Sequence, residues 1–600
     1  MKTSIFLTVS SLFALTVVLA PAPLATPPVD VFRNPIDLCV LPGGQRVLTA
    51  NHASDSVSLV DLEQKKVVAE KPCGRKPSAV AFSQDGQRAA VSNLWSSTVT
   101  LFNVGASSLE AAGEIAVGPA PRGLVFSANG KSLFVAVAGS SEVIEVDVAS
   151  KKVLRRWPAE REPRQLALSA DGKWLAAACS LSAQVRVWNL QTGKLHWERT
   201  ITDAFNLRGL AFTPDGQHVV VAHVVRRDFP VSRANIEEGW VTDSRLTMLA
   251  LKADALPATW QIALDVRGQA VGDPHGLAMD AGGDHLVVTG SGTQEVLLLP
   301  AKVLPWNAGD PGDFLDEKLQ HGKHAMQRVS VQSGRPLAIA FAGNKLQAVL
   351  ANYLRDSVQI VDIAAGRYVG EIALGAPADL SPARKGEALF YDARRSHNHW
   401  FSCHTCHVDG HTCLLNFDTL NDATYGTPKL TPTLRNVTKT GPWTWHGWQK
   451  DLEAGIAKSF ADTMFGPPPS KEEIKSVYAF LATLEHPPNP NRGPDGKLSA
   501  AAQRGKVVFY EKAHCIKCHK EPYYTSTINY DVKIEPDGSP YKLWNPPSLE
   551  GLYDRGPFMH DGRSKTLEEL LTKHHSSELL GGSKLTAEER QDLTAFLLAL

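Results

Sequence analysis

Two stretches of this 600-residue chain place two thiols and an imidazole in a set order: Cys403-His404-Thr405-Cys406-His407 and Cys515-Ile516-Lys517-Cys518-His519. Each reads Cys-x-x-Cys-His, the attachment signal of a c-type haem. Two thiols one helical turn apart can add to the two vinyl groups of one porphyrin. The imidazole beside the second thiol then lies under the iron. Thioethers are therefore expected at Cys403, Cys406, Cys515 and Cys518, and iron ligation at His407 and His519. A zinc half-site or a redox dithiol would use the same cysteines. Neither calls for a histidine directly after the second thiol, and here it stands there twice.

The elements that carry these signals fill the last third of the chain as two copies of one unit. Pro432-Thr433-Leu434, Gly441-Pro442 and Gly447 recur as Pro547-Ser548-Leu549, Gly556-Pro557 and Gly562, at an offset of 115 without a gap. Leu452-Glu453 continues it against Leu567-Glu568. Upstream, Gly386 and Phe390-Tyr391 match Gly505 and Phe509-Tyr510 at an offset of 119, because the first copy has seven extra residues before its haem signal. Those extras include His397, His399 and Trp400. Helical periodicity is clear in the closing segment of each copy. Each copy is expected to be a small all-α, cytochrome c-like domain: 381–486 and 498–600, joined by a proline-rich linker at 487–497.

The preceding part repeats on a shorter period. Pro35, Pro77, Pro121, Pro163, Leu207, Pro274 and Pro336 mark its units, at spacings of 42, 44, 42, 44, 67 and 62. Eight residues after each mark comes a turn residue: Gly43, Asp85, Asn129, Asp171, Asp215, Gly282 and Asn344. Roughly 40–45 residues with about four strands per unit is the period of β-propeller blades. A seven-bladed all-β propeller is expected over 30–375, and it resembles the YVTN-type, WD-like propellers of exported bacterial proteins. Two long units carry insertions, Arg226–Arg245 and Ala301–Gln327, of which one or both are expected to cover the haem region. His275 sits at a strand start and reads as structural.

Lys plus Arg and Asp plus Glu each number 62, so no basic field exists to draw in nucleic acid. Lys2 followed by an apolar run from Ile5 to Leu19 reads as a secretory signal peptide over 1–25, or as an N-terminal anchor if uncleaved. A periplasmic or otherwise exported location suits the haem signals. Of the other cysteines, Cys39 and Cys73 fall in one repeat and are candidates to pair in an oxidising space. Cys179 lies in an apolar strand and reads as buried.

The duplicated region resembles the bacterial di-haem cytochrome c peroxidases and their methylamine-utilisation relatives. The likeness rests on both haem signals, on Thr431-Pro432-Thr433-Leu434-Arg435-Asn436, and on Gly556-Pro557-Phe558-Met559-His560-Asp561-Gly562 with Thr566-Leu567-Glu568-Glu569. It implies one haem that takes peroxide and one that passes electrons, with a tryptophan between them. Trp445 holds the matching place, opposite His560 in the duplication. The electron-transfer haem of that family takes its distal ligand fourteen residues after the histidine of the Pro-x-x-His-Asp-Gly motif. That position is His574, with His575 beside it, so the second haem is expected to be held by His519 and His574. Ser459 occupies the equivalent place in copy one, which leaves His397, His399, His411 and His446 as candidate ligands there. The family's distal glutamine and glutamate fall on Gly455 and near Phe465. His446, Glu453 or Asp462 would have to serve as acid–base group in their place.

The resemblance further implies hydrogen peroxide or another oxidant as substrate and a small donor protein of cytochrome c or cupredoxin type. It also implies a calcium ion held mostly by backbone oxygens. The expected function is an exported di-haem oxidoreductase of the peroxidase type. The alternatives are an electron-transfer cytochrome without turnover of its own, and a propeller binding module with the haems as sensor.

Overall fold

The computed structural model describes residues 31–343, 346–375, 380–420, 424–493, 495–534 and 541–600. The signal-peptide reading, the turn residue Asn344 and Pro494 of the linker lie outside the described residues.

From Pro35 to Ala373 the chain forms seven antiparallel sheets, each made of consecutive strands. The innermost strands neighbour one another in sequence order, and the last, Pro336–Ala342, meets the first, Pro35–Val40, so the ring is closed. Each of the six proline marks is the first residue of an innermost strand. Proline suits that place because it needs no ladder partner for a missing N–H. At the seventh mark, Leu207, the innermost strand is broken into Ala204–Phe205 and Leu210–Phe212, which both pair with His218–Arg226. The middle strands of each blade, such as Arg46–Asn51 and Ser56–Asp61, are buried on both faces because blades stack face to face. Outer strands such as Lys152–Pro158 alternate with solvent.

The region after Leu380 is built twice. Copy one opens on the helix Pro382–Phe390, capped by Ser381, and closes on Lys471–Leu481, whose Ser470 and Glu473 cap each other. Copy two opens on Ala500–Val507 and closes on Ala587–Leu598, with Thr586 and Glu589 in the same reciprocal cap. In both copies the two helices cross at a glycine. A Cβ on Gly386 would sit 1.8 Å from the Ser476 carbonyl oxygen, and one on Gly505 would sit 1.9 Å from that of Asp592. The copies are not purely helical. Asn416–Phe417 pairs with Lys429–Leu430, and Tyr530–Asp531 with Leu543–Trp544, as short antiparallel ladders at matching places.

The first insertion packs on copy one. Val231, Ile236 and Val241 share one apolar cluster with Phe390, Trp400, Phe401 and Phe480. The second insertion adds Phe314, whose ring lies 6.4 Å from that of Trp400.

Candidate functional site: two histidine–dithiol centres joined by an aromatic bridge

In copy one the two thiols flank a single helical turn, Cys403–Cys406, and His407 ends it. The turn is pinned from the propeller side. The Ser402 and Thr405 hydroxyls each donate to the Asp273 carboxylate at 2.6 Å. The His407 Nδ1 lies 3.0 Å from the Pro432 carbonyl, and the His519 Nδ1 lies 3.1 Å from that of Tyr524. A ring that donates from Nδ1 to a backbone carbonyl presents Nε2 as the unprotonated nitrogen a metal needs. Burial lowers both imidazoles to about 4, which keeps them in that neutral form.

All four signal cysteines are unpaired, and burial pushes the Cys403 and Cys515 thiols up to about 12. Among the described residues no group of three or more His, Cys, Asp or Glu side chains is placed to hold a metal ion. Cys39 and Cys73 are likewise free, packed in one apolar cluster, so the expected pairing is not formed. Cys179 is buried.

The ring facing His519 belongs to His575. Their centroids are 6.5 Å apart and their planes stand at 83°. An iron between two imidazoles needs about 6 Å, from two metal–nitrogen bonds of about 2 Å and two ring radii of about 1 Å. The pair therefore fits a bis-histidine haem. The sequence points to His574, and the ring set beside His519 is that of the next residue, His575. A π turn, Leu570–His574, precedes His575, and its extra residue per turn rotates the side chains beyond it.

Among the described residues of copy one, no imidazole is paired with the ring of His407 as His575 is with that of His519. At the offset of the duplication, His574 and His575 correspond to Ser459 and Phe460. The Ser459 hydroxyl donates to the Gly455 carbonyl at 2.9 Å, and Phe460 is buried in the core. Other nearby histidines are engaged elsewhere. His397 Nε2 lies 2.8 Å from Glu237 of the first insertion. His411 Nδ1 lies 2.8 Å from the Thr433 hydroxyl, and its Nε2 lies 3.4 Å from Asp554. Glu453 and Asp462 are exposed on their helix. Beside the first thiol lies Met464, buried, with its sulfur 4.0 Å from the Cys403 sulfur. Met464 closes a π turn, Ser459–Thr463, as His575 closes its own.

Trp445 lies on the seam between the copies. Its Nε1 donates to the Leu430 carbonyl of copy one at 2.8 Å. Its carbonyl accepts from the Asn545 amide of copy two at 2.9 Å. Its ring stands 6.3 Å from that of His560. His446 is buried beside it, stacked on Trp448 at 4.6 Å and close to Trp544 at 4.2 Å. Trp544 in turn stacks on His560 at 4.0 Å. Trp443, by contrast, packs inside copy one and donates to the Val437 carbonyl.

One contact was not foreseen from the motifs. Asp409, two residues after His407, enters a group of propeller cations. It forms an ion pair with Arg164 and lies 3.7 Å from Arg335 and 3.8 Å from Arg208. Burial works to raise its carboxyl. The guanidinium of Arg164, with His404, Arg122 and Arg335, outweighs that and holds it well below the usual range. The signal was present in the repeat: Arg122, Arg164 and Arg208 each directly follow a blade mark.

The fold is a seven-bladed propeller joined to two copies of a small domain, each carrying a Cys-x-x-Cys-His signal. Comparison with known proteins agrees. Residues 383–486 match the family model of the di-haem cytochrome c peroxidases, and residues 67–155 match that of the seven-bladed β-propeller lactonases. Among individual relatives, the chain is 28% identical over 224 residues to hydrazine synthase subunit beta of Kuenenia stuttgartiensis, covering 36% of this chain and 57% of that protein. It is 26% identical over 288 residues to the methylamine utilization protein MauG of Methylophilus methylotrophus, covering 38% of this chain and 84% of that one. It is 22% identical over 280 residues to cytochrome c551 peroxidase of Pseudomonas aeruginosa, covering 38% and 80%. These matches support haem as cofactor and oxidoreductase or electron-transfer chemistry. Among the described residues no helix is long and apolar enough to cross a membrane.

Proposed function

We propose that this chain is an exported di-haem oxidoreductase in which electrons enter at the second centre and leave at the first. When bound, the two haems supply one-electron redox chemistry and, at an iron with a free position, a binding place for an oxidant such as hydrogen peroxide. Cys403, Cys406, Cys515 and Cys518 carry the covalent attachment, His407 holds the first iron, and His519 with His575 holds the second. The observation that carries this reading is the asymmetry of the copies. One imidazole faces His519 at the spacing an iron requires, while Ser459 and Phe460 offer His407 no counterpart. A closed centre suits transfer, and an open one suits substrate.

Trp445 is the relay, because it is bonded to both copies at once. His446, next to it and buried, takes the proton-handling role that Gly455 and Phe465 cannot fill. A small cytochrome c or cupredoxin-type donor would feed the second centre. Calcium held by backbone oxygens at the seam belongs to the same proposal.

Met464 favours a second reading. A thioether beside Cys403 that reached the first iron would close it, and the chain would then be an electron-transfer cytochrome. Low-temperature EPR of the ferric, haem-loaded protein separates the two. One high-spin and one low-spin signal, with peroxide consumed at the expense of a reduced donor, supports the oxidoreductase. Two low-spin signals, with a far-red sulfur-to-iron band lost in Met464→Ala, supports the cytochrome.

A further inference from the structure

The propeller channel holds more buried positive charge than its protein partners neutralise. In each blade one residue next to the mark faces the axis, and Ile36, Ser78, Arg122, Arg164, Arg208, His275 and Leu337 line a single cavity of about 130 Å³. Three consecutive blades thus contribute an arginine, and Arg335 adds a fourth. No signal cysteine and none of the proposed iron ligands lines this space.

The carboxylates in reach are fewer. Asp409 enters from copy one, and Glu162 lies 3.2 Å from Arg122 and 3.7 Å from Arg164. Four guanidinium charges against two carboxylates leave an excess of two. Asp37 also lines the cavity; burial raises its carboxyl to about 7, so near neutral pH it is about half ionised and does not cancel the excess. Each of the four arginines that line this cavity has a buried guanidinium nitrogen without a hydrogen-bond acceptor: Arg122 Nε, Arg164 Nη1, Arg208 Nη2 and Arg335 Nε. Arg208 is the clearest case. It is 3% exposed, and the carboxylate nearest to it stands 3.8 Å away.

Buried charge without a counter-charge is costly, and converging guanidinium forks match the planar or tetrahedral oxygens of an oxyanion. We infer that the propeller channel binds a small oxyanion of the carboxylate, nitrate or phosphate class, held by Arg122, Arg164, Arg208 and Arg335 beside Asp409. The cavity admits such an ion with a few waters and excludes a nucleotide or a peptide. This inference is independent of which reaction the haems perform.

The test is calorimetric titration of phosphate, nitrate and acetate into the full-length haem-loaded protein at constant ionic strength. The expected result is one site per chain for at least one of them, weakened about tenfold or more in Arg208→Ala. Haem content and circular dichroism check that the variant is folded, and Arg122→Ala provides a second disruption. Thermal melting of the unaltered protein gives a readout that needs no variant: the bound anion raises the melting temperature relative to chloride at equal ionic strength. Absence of saturable binding and of any melting shift would overturn the inference and leave Asp409, Glu162 and solvent to offset the charge. Binding of equal strength in both arginine variants would overturn it as well, by placing the ion elsewhere.

Discussion

The two cytochrome-like copies share their helices, their caps and the glycine at which those helices cross. They differ in what surrounds them. Copy one is bound to the propeller at several independent points. Asp273 fixes its haem turn, Asp409 enters the arginine group, Arg384 donates to the Tyr353 and Leu354 carbonyls, and its apolar core takes in side chains of the first insertion. Copy two touches the propeller through Arg161, which donates to the carbonyls of Asp554 and Gly556. Copy two has an imidazole facing its proximal histidine, and copy one does not. The copy held by the scaffold is the one for which the proposed function needs an open iron. A centre of that kind would have to be kept in shape by something other than its ligands, and the propeller contacts are placed to supply that.

Removing His575 strikes this contrast hardest. His575→Ala should convert the low-spin EPR signal of the second haem to high spin, making the two copies alike. His574→Ala should leave the spectrum unchanged; the reverse outcome would return the ligand to His574. Trp445 comes next. Trp445→Ala should slow electron transfer between the haems by about tenfold or more, equivalent to about 1.4 kcal/mol in barrier. Flash or stopped-flow reduction reads this directly. Trp443→Ala is the control: a core aromatic should cost about 3–5 kcal/mol of stability instead. Equal transfer rates in Trp445→Ala would remove it as the relay.

The scaffold side of the comparison is tested by Asp273→Ala. It strips two hydroxyl donors of their buried acceptor and should cost about 2–3 kcal/mol. Denaturation followed at each haem should show copy one loosening while copy two is unmoved, and equal loss in both would mean the propeller does not stabilise copy one selectively. The smallest effect concerns Asp554, where propeller, copy one and copy two meet. Burial works to raise its carboxyl, but His411, Arg435 and Arg555 bring it down to about 2. Its folded value lies below the unfolded one near 3.8, so its contribution is complete above that pH and is lost as pH falls through about 2. The full amount is about 2 kcal/mol. Asp554→Asn should flatten the acid limb of a stability–pH curve by that much, and an unchanged limb would exclude it.

Local features were legible where one residue type has one use. Cys-x-x-Cys-His needs its order, and proline at six blade starts needs a position without a ladder donor, so both could be read without contacts. The duplication also showed itself, because the glycine at each helix crossing tolerates no side chain. Counting from the motif leads to His574 because it assumes an even helix, whereas a π turn carries the next ring, that of His575, to 6.5 Å from that of His519. The role of Asp409 was hidden for another reason. Its arginine partners lie more than 70 residues upstream, spread over four blades, and no periodicity in one copy points to them.

The order of groups along the chain therefore determined the cofactor signals, the blade count and the twofold haem region, since each depends on spacing within one element or one repeat. Tertiary structure alone decided which histidine faces His519, which copy lacks a second imidazole, and that the propeller's arginines gather around a carboxylate next to the first haem signal. Those outcomes depend on helix rotation and on closure of a ring, and both bring together atoms that the sequence keeps far apart.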